Sequence, residues 1–388
     1  MVIYTRKPAE NTERERNMTK KLLGKLKEDV VLTVSWVLAI ASSLFVTPDK
    51  EYIGYIDWET LALLLALMIV MAGFKALGLF QWMGEQLLSR MKSSRTINLT
   101  LVMACFFSAM AITNDVALIT FVPFALETLR MAKLEESIVP VVVLQTVAAN
   151  LGSMVTPIGN PQNIYLYFQS GLGMIDFLKL TGPYAVLALI MLTAFCFAGK
   201  KKKADFTPSG KTGFGFSQRL VIYGLMFALC LVSLGKTISV ELAALIVVAI
   251  TLVMDRGTLK NVDYGLLFTF IGFFIFVGNM GRIEWFSSAI AAVLEGHELL
   301  VTVAISQVIS NVPATLLLAG FTQNWPVLIV GSNIGGLGTL IASMANLISY
   351  KYVCKSYAHF RHAYTRWFTI ICLIFLVAML VMYWLLFV

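Results

Sequence analysis

Residues 148–165 read AANLGSMVTPIGNPQNIY, and this stretch interrupts a long apolar segment with two glycines, two prolines and three asparagines. Non-helical backbone is tolerated at membrane depth only where protein buries it or where it lines a watery cavity. A broken helix exposes N–H groups at one new end, which favour anions, and C=O groups at the other, which can hold cations. Glycine allows close backbone approach, and proline stops the helix from closing its own hydrogen bonds. The stretch therefore predicts an ion-binding site made largely of main chain.

The composition is that of an integral membrane protein. Of the 388 residues, 58% are hydrophobic and 13% are charged, and the mean hydropathy is +0.80. A soluble domain carries about a quarter of charged residues, whereas here apolar runs of about 17–25 residues recur along the chain, the length of a transmembrane helix. The net charge of +8 comes from basic residues in short segments between these runs. Such segments record membrane orientation and do not indicate a nucleic-acid partner.

The distribution of Lys and Arg predicts how the chain crosses the membrane. Residues 1–29 carry eight basic residues, which places this N-terminal segment in the cytoplasm. The segment 97–130 has Lys or Arg at both ends, whereas 298–322 has neither at either end. Each segment should therefore return to the side from which it starts, as one of two opposed re-entrant hairpins. The prediction is an all-α polytopic protein of the cell membrane with nine spans, a cytoplasmic N-terminus and an extracellular C-terminus.

An internal repeat relates the two halves of the chain. Without gaps, ANLGSMVTPIGNPQNIYLY (149–167) aligns with SNIGGLGTLIASMANLISY (332–350), and the sequences TNDVAL and SNVPATL of the hairpin tips correspond. The aligned polar pairs are Asn150 with Asn333, Gly152 with Gly335, Thr156 with Thr339, Asn163 with Asn346, and Asn114 with Asn311. An inverted repeat with broken helices is the sequence pattern of an alternating-access transporter whose site lies at the repeat interface.

The repeat predicts the organisation of the whole chain. We expect a first repeat at 30–199 with hairpin 97–130 and broken span 137–168, a cytoplasmic linker at 200–219, a joining span at 220–236, and a second repeat at 237–388 with hairpin 298–322 and broken span 326–349. The two broken spans would meet where the repeats face each other.

The paired motifs resemble those of the ion transporter superfamily, which includes arsenite permeases, sodium–proton antiporters, and divalent-anion and citrate symporters. TNDVALITFVPF and ANLGSMVTPIGNPQN are most similar to the arsenite-permease and antiporter branch, and SNVPATLLL and SNIGGLGTLIAS resemble second-half motifs of the superfamily. The resemblance covers about residues 55–388. It implies scaffold and transport units that move by an elevator-type displacement, in a protein that is often a homodimer.

The resemblance and the breaks mark the residues expected to hold substrate and coupling ions. These are Thr113, Asn114, Asp115, Asn150, Gly152, Thr156, Pro157, Asn160, Asn163, Ser310, Asn311, Asn333, Gly335, Thr339, Ser343 and Asn346. By motif match, one Na⁺ position would use Asn114, Asn150 and Gly152, and a second would use Asn311, Asn333 and Gly335. Thr156, Pro157 and Asn160 would face the substrate.

Two departures from the superfamily bear on the substrate. Carboxylate symporters carry Ser-Asn-Thr at both tips, whereas this chain has Thr-Asn-Asp at 113–115 and Ser-Asn-Val at 310–312. The second broken span also contains TLIASMAN in place of the Thr-Pro-Pro-Asn type of ending. A carboxylate substrate would therefore lose hydroxyl donors and meet an acid.

Asp115 is the carboxylate that the topology places near the membrane midplane. Ionisable residues there are candidates for proton carriers or cation ligands, although Asp before an apolar run is also a good helix N-cap. The two roles are compatible. Lys75 falls about 17 residues into the second span, near its cytoplasmic end at about 1.5 Å per residue. Snorkelling to the interface is favoured there over a role as the counter-ion of Asp115.

The leading hypothesis is a secondary active transporter that moves a small anion, metalloid or organic acid, coupled to H⁺ or Na⁺. A sodium–proton antiporter is the alternative, and no cofactor beyond the coupling ion is expected. A channel would instead conduct without a driving gradient. The sequence lacks the Gly-x-Ser-x-Gly motif or paired intramembrane aspartates of a hydrolase, and the Walker-type loop of a primary pump. The expected partners are a small ionic substrate and the lipid bilayer.

Overall fold

The computed structural model describes residues 30–88, 93–199, 201–202, 215, 217–235 and 237–387. The N-terminal segment expected in the cytoplasm and most of the linker expected at 200–219 lie outside these residues. Within them the chain is built from α-helices, some joined by short 3-10 turns.

The helices of the first half begin and end at local sequence signals. They are α1 (Val30–Ser43), α2 (Glu51–Gly54), α3 (Trp58–Ala76), α4 (Leu79–Leu88), α5 (Ser94–Ile112), α6 (Asn114–Met131), α7 (Ile138–Ser153), α8 (Pro161–Ser170) and α9 (Met174–Ala198), followed by α10 (Gln218–Leu234). Asp57 caps α3 by accepting the Thr60 N–H at 2.9 Å, and Gly171 ends α8 in the left-handed conformation. Both are common terminal signals of helices.

The second half has a similar order of elements. Its helices are α11 (Val240–Met254), α12 (Tyr264–Gly281), α13 (Glu284–Leu294), α14 (Glu298–Ile309), α15 (Asn311–Ala319), α16 (Trp325–Ile334), α17 (Met344–Ser356) and α18 (Arg361–Phe387). Asp263 caps α12 by accepting the Leu266 N–H at 3.3 Å.

Several of these helices have the length and composition of membrane spans. Among the described residues six are long and apolar enough to cross a membrane, and the count is seven if α13 and α14, which meet at 109°, are taken as one bent span. The apolar helices α1, α10, α11 and α16 are shorter. Since a perpendicular span needs about 20 residues, the protein is a multi-pass membrane protein. The arrangement of nine spans stays a prediction.

Two amphipathic helices have no counterpart in the sequence predictions. The helix α3, which is the second expected span, ends at Ala76, because Gly78 turns the chain at φ 72°. The helix α4 follows this turn. The helix α13 likewise follows α12 after a short interruption at Arg282 and Ile283. The helix α4 continues the apolar run of α3, so composition alone does not separate the two, whereas Arg282 and Glu284 lie at the boundary between α12 and α13.

Five helices that pack across the two halves form a unit that we call the scaffold: α1, α3, α10, α11 and α12. Here α1 packs along α12, α3 packs along α11, and α10 contacts both α3 and α11. A Cβ atom added to Gly272 of α12 would lie 2.8 Å from the Ser35 Oγ of α1. This close approach is typical of small residues in membrane helix interfaces. It explains why glycine is required at this position.

The broken helices lie inside the protein. The helix α7 contacts α5, α6, α9, α17 and α18, and α16 contacts α14, α15 and α8. Apart from Pro140, the residues of α7 are buried. The polar end of α7 is therefore surrounded by protein, as non-helical backbone at membrane depth requires.

Candidate functional site

Both hairpins turn at a residue with an unusual backbone conformation. Thr113 has φ 70° and ψ 151°, and Ser310 has φ 75° and ψ 154°. Residues other than glycine rarely adopt such values. We call residues 113–115 the first tip and residues 310–312 the second tip. Such strain persists only where the surrounding structure holds it, and it is concentrated at functional sites.

Each tip is tied to a helix break by one backbone hydrogen bond. The Asn114 N–H donates to the Gly159 carbonyl at 3.1 Å, and the Asn311 N–H donates to the Ala342 carbonyl at 2.9 Å. The Ser310 hydroxyl also points at the Ala342 carbonyl, at 3.5 Å. A movement of a hairpin would therefore be transmitted directly to the neighbouring break.

The first break, residues 154–160, separates α7 from α8. Asn160 is the N-cap of α8, and its Oδ1 accepts the Asn163 N–H at 2.9 Å. The Asn163 amide reaches back into the break and donates to the carbonyls of Ser153 at 3.2 Å and Thr156 at 3.0 Å. A side chain of α8 thus satisfies carbonyl groups that the end of α7 leaves without helical partners.

The second break, residues 335–343, has the same arrangement. The Asn346 amide donates to the carbonyls of Gly336 and Thr339, both at 3.0 Å. These are the positions that align with the acceptors in the first break. One asparagine in each half therefore closes its own break.

Two further asparagines join the breaks to each other. The Asn150 amide donates to Asn346 Oδ1 at 2.8 Å. At the aligned positions, the Asn333 amide donates to Asn163 Oδ1 at 2.7 Å. Each broken helix is thus bonded to the asparagine that closes the opposite break.

A second matched pair of bonds completes this network. The Asn160 amide donates to Asn333 Oδ1 at 2.9 Å, and the Ser343 hydroxyl donates to Asn150 Oδ1 at 3.2 Å. We call the six side chains the amide cluster: Asn150, Asn160, Asn163, Asn333, Ser343 and Asn346. None of them is more than 4% exposed. A buried polar network with its donors and acceptors paired holds one arrangement of its parts.

The two tips contact this region in different ways. Asn114 donates to Asn150 Oδ1 at 3.3 Å, so the first tip joins the amide cluster directly. Asn311 instead donates to the Ser332 carbonyl at 3.2 Å. The residue after Asn311 is Val312, whereas the residue after Asn114 is an aspartate.

Threonines and glycines hold the hairpins against the breaks. Thr156 donates its hydroxyl to the Met110 carbonyl, and Thr339 donates to the Gln307 carbonyl at 3.1 Å. A Cβ atom added to Gly152 would lie 2.2 Å from the Phe106 carbonyl oxygen, and one added to Gly335 would lie 2.6 Å from Ser306 Oγ. Pro157 is buried inside the first break. These predicted site residues therefore position backbone.

The Gln307 side chain introduces a second difference between the halves. Its Nε2 donates to the carbonyls of Gly335 and Leu337, both at 3.0 Å, and its Oε1 accepts the Thr339 N–H at 2.9 Å. In the hairpin alignment the first half has Met110 at this place, and methionine cannot donate. The second break is therefore held by one more side chain than the first.

A cavity of about 580 Å³ lies between α3, the first tip, α8 and the start of α12. Its polar wall is formed by Lys75, Thr113, Asp115, Asn261 and Asp263, and the rest of its lining is mainly apolar. Asp115 Oδ1 is buried and has no hydrogen-bond partner among the described residues. Asp115 lies in the first turn of α6, and Thr113 occupies the N-cap position. The expectation that Asp115 could serve as the N-cap is therefore wrong.

Two groups of predicted site residues differ in their access to the cavity. Thr113 and Asp115 line the cavity, whereas the amide cluster lies behind the first tip and is enclosed. Lys75 is exposed on the cavity wall and forms no ion pair with Asp115 among the described residues. Its position near an acid of the first tip fits the counter-ion interpretation as well as snorkelling.

Four polar residues of this region were not singled out from the sequence. They are Ser153, Asn261, Asp263 and Gln307. Gln307 carries a usable signal, because it is a polar residue one helical turn before a tip. Asp263 precedes an apolar run and is indistinguishable in sequence from an ordinary N-cap.

Comparison with known proteins gives consistent matches along the chain. The sequence model of a family described as citrate transporter matches residues 21–326. Inner membrane protein YbiR of Escherichia coli is 31% identical over 344 residues, which cover 86% of this chain and 90% of that protein. An uncharacterised transporter of Methanocaldococcus jannaschii is 31% identical over 302 residues, covering 77% and 82%. The silicon efflux transporter LSI3 of Oryza sativa subsp. japonica is 30% identical over 158 residues, covering 40% and 32%.

Proposed function

The chain belongs to the citrate transporter family, and on this premise we propose that it is a secondary active transporter that works by alternating access and is coupled to H⁺ or Na⁺. Family membership and its membrane-length helices make it a multi-pass membrane transporter and not an enzyme. The observation that supports coupling at this site is Asp115 Oδ1, which is buried without a hydrogen-bond partner among the described residues, on a residue that lines a cavity beside the amide cluster.

The two halves act as inverted repeats with opposed hairpins, an N-terminus in the cytoplasm and a C-terminus outside. This proposal is supported by the matched hydrogen bonds. Asn150 bonds to Asn346, and Asn333 bonds to Asn163 at the aligned positions. Equivalent contacts at equivalent positions are expected when two copies of one motif face each other across a pseudo-two-fold axis.

Transport proceeds by displacement of the hairpins and broken helices against the scaffold, in an elevator-type motion. The cavity lies along this boundary, since α3 and α12 belong to the scaffold and the first tip belongs to a hairpin. The amide cluster keeps the two broken helices together, so they would move as one body. We also propose that the protein is a homodimer, as is common in the superfamily that its motifs resemble.

Two positions for coupling ions follow from the tips and breaks. The first uses Asn114, Asn150 and Gly152, with Asp115 as a proton carrier or cation ligand. The second uses Asn311, Asn333 and Gly335. Buried carboxylates at membrane depth are expensive to maintain and mark ion pathways. Because the second tip has Val312 in place of an acid, the titratable coupling group is assigned to the first position.

The substrate is a small anion, metalloid or organic acid. The polar wall of the cavity has two carboxylates and one ammonium group, so a multiply charged carboxylate would be repelled there. A neutral species fits this wall better. One relative is named as a silicon efflux transporter, and another as the putative transporter arsB of Dictyostelium discoideum. A hydroxylated metalloid species is the candidate of this class that we favour.

The second candidate is a sodium–proton antiporter. The same excess of negative charge favours it, since a cavity with two carboxylates against one lysine attracts Na⁺ and H⁺. In that case Asp115 would bind the two cations in alternation, and no anionic substrate would be required.

An uptake screen in proteoliposomes tests the proposal. Purified protein is challenged with carboxylates, oxyanions, arsenite and silicic acid under an imposed pH gradient, an imposed Na⁺ gradient or neither. We expect one substrate class to accumulate only under a gradient. Flux that is equally fast without a gradient would identify a channel. Proton movement driven by Na⁺ with no other substrate would identify the antiporter.

A further inference from the structure

The linker between α11 and α12 supplies a second carboxylate to the cavity that contains Asp115. Asp263 uses Oδ1 to cap α12, accepting the Leu266 N–H at 3.3 Å. Among the described residues no hydrogen bond uses its Oδ2, and neither carboxylate forms an ion pair. One oxygen of Asp263 therefore remains for a ligand in the cavity.

The cavity residues are more exposed near the α11–α12 linker than near the first tip. Asn261 and Asp263 in the linker are exposed, and Lys75 on α3 is exposed beside them. Asp115 at the first tip is only partly exposed, and its Oδ1 is buried. The cavity therefore connects the protein surface at the linker with the tip of the first hairpin.

The charges along this connection select for cations. The polar wall carries Asp115 and Asp263 against the single positive charge of Lys75, with neutral oxygens from Thr113 and Asn261. Carboxylate and amide oxygens are suitable partners for a small hard cation. Among the described residues Lys75 forms no ion pair with either acid, so it lowers the negative potential without occupying either carboxylate.

We propose that this cavity is the path by which the coupling cation moves between the aqueous phase at the α11–α12 linker and Asp115. Asp263 is the carboxylate at the end of this path nearer the linker, and it holds a proton or Na⁺ before the cation reaches the first tip. The role of Asp115 in this proposal rests on the proposed function. The Lys and Arg distribution predicts that the linker faces the cytoplasm.

Asp263 has two roles in this proposal, as the N-cap of α12 and as a carboxylate on the cation path. A test of the path must remove the charge and keep the cap. Asparagine caps a helix about as well as aspartate does but carries no charge. Asp263→Asn therefore keeps the cap and removes the charge. Asp255 provides a matched control in the same linker, because its Oδ2 is bonded to the Thr258 hydroxyl at 3.0 Å and it does not line the cavity.

A reporter thiol measures the path without any substrate. Val116 lines the cavity, is partly exposed and has no proposed role, so Val116→Cys places a thiol beside Asp115. Cys354 is replaced by serine, since the other four natural cysteines are buried. In purified protein, the modification rates by a cationic and an anionic methanethiosulfonate reagent are compared at low ionic strength.

We expect the cationic reagent to react faster. The ratio of the cationic to the anionic rate should fall about fivefold in Asp263→Asn, as expected when one unit charge a short distance from the thiol is removed in a partly screened cavity. The same ratio should rise in Lys75→Gln and stay unchanged in Asp255→Asn. A ratio that does not change in Asp263→Asn, or a thiol that reacts with neither reagent, overturns the path. These rates do not depend on transport, so a failed uptake screen and a failed path are separate results.

Discussion

Asp115 differs from the residues of the amide cluster in that it can change its charge. The asparagines and Ser343 hold geometry through paired hydrogen bonds, whereas Asp115 faces the cavity with one oxygen free of partners among the described residues. A group that must bind and release a cation needs such a free oxygen. At the scale of single residues, the proposed coupling group is therefore a different side chain from those that hold the geometry.

The first prediction concerns this charge. Asp115→Asn preserves the shape of the side chain and deletes the titrating group. We expect the variant to fold and insert normally, to lose gradient-driven accumulation of substrate, and to retain exchange of bound substrate. Uptake in proteoliposomes with and without a gradient measures both activities. Glu127→Gln is the control, because Glu127 lies on the same helix, is exposed and does not line this cavity. Accumulation at the wild-type rate, with the same dependence on pH and Na⁺, would remove Asp115 from the coupling mechanism.

The second prediction concerns Gln307. Gln307→Met gives the second hairpin the residue found at the aligned place in the first hairpin, with a similar volume and no donor. The carbonyls of Gly335 and Leu337 then lose their bonds, and leaving partly buried acceptors unpaired costs roughly 2–4 kcal/mol of stability. Thermal unfolding in detergent measures this loss. Gln323→Met, at an exposed loop position, serves as the control. An unchanged midpoint in Gln307→Met would show that water or an ion replaces the amide.

At the scale of elements, each hairpin is hydrogen-bonded to a helix break, and the scaffold has a separate ion pair. The tips bond to the breaks through backbone groups. In the scaffold, Arg282 at the end of α12 donates from Nη1 to Asp49 Oδ2 at 2.7 Å and to the Tyr55 hydroxyl at 3.1 Å, and it lies 3.4 Å from Glu51. This contact joins the end of α12 to the loop before α3. It keeps the ends of these two scaffold elements together.

The third prediction is that the ion pair between Arg282 and Asp49 makes the stability of the protein depend on pH. The hydrogen bond from Arg282 holds the pKa of Asp49 below its ordinary value of about 3.9. A carboxyl group with a lowered pKa stabilises the folded state above its unfolded pKa, and this contribution is lost as the pH falls through the folded pKa. We expect Asp49→Asn to unfold at a lower temperature than the wild type at pH 6, and the difference to shrink below about pH 4. Because the pair is exposed, the effect should be small and should also shrink in high salt.

Thermal unfolding in detergent at several pH values and salt concentrations measures this difference. Asp176→Asn is a suitable control, since Asp176 forms an exposed pair with Lys179 one helical turn away. A difference between wild type and Asp49→Asn that stays constant from pH 6 to pH 3 would show that the contact is not ionic in origin.

At the scale of the whole molecule, the first hairpin and the second hairpin are proposed to open to opposite sides of the membrane. Lys133 after α6 and Gln323 after α15 are both exposed, so the side of the membrane on which each lies can be measured by chemical labelling. The proposal requires that these two positions never share a compartment.

The fourth prediction follows. Lys133→Cys should be labelled by a membrane-impermeant thiol reagent only from the cytoplasmic side, and Gln323→Cys only from the opposite side. Intact cells and inverted vesicles provide the two compartments, and the parent protein with Cys354→Ser gives the background. Labelling of both cysteines from one side would contradict the inverted repeat and leave the family assignment intact.

Much of the fold could be predicted because its signals are local. The length of the apolar runs reflects the thickness of the bilayer, and the concentration of Gly, Pro and Asn at 148–165 marks a helix that cannot continue. The structure has α7 ending at Ser153 and α8 beginning at Pro161. The amphipathic helix α4 was missed because its turn lies inside a largely apolar run, and α13 was missed although Arg282 and Glu284 lie at its start.

The sequence by itself determined that this protein is a helical, multi-pass membrane transporter, and that asparagines recur at matched positions in its two halves. Only the tertiary structure decided which side chains meet. Asn150 and Asn346 are 196 residues apart in the chain and 2.8 Å apart in space, and Asp263 shares a cavity wall with Asp115. Spacing along a chain records helical periods and span lengths, whereas a hydrogen bond or an electrostatic interaction depends on distance in space. Those distances are set by the packing of whole helices, which no single segment contains.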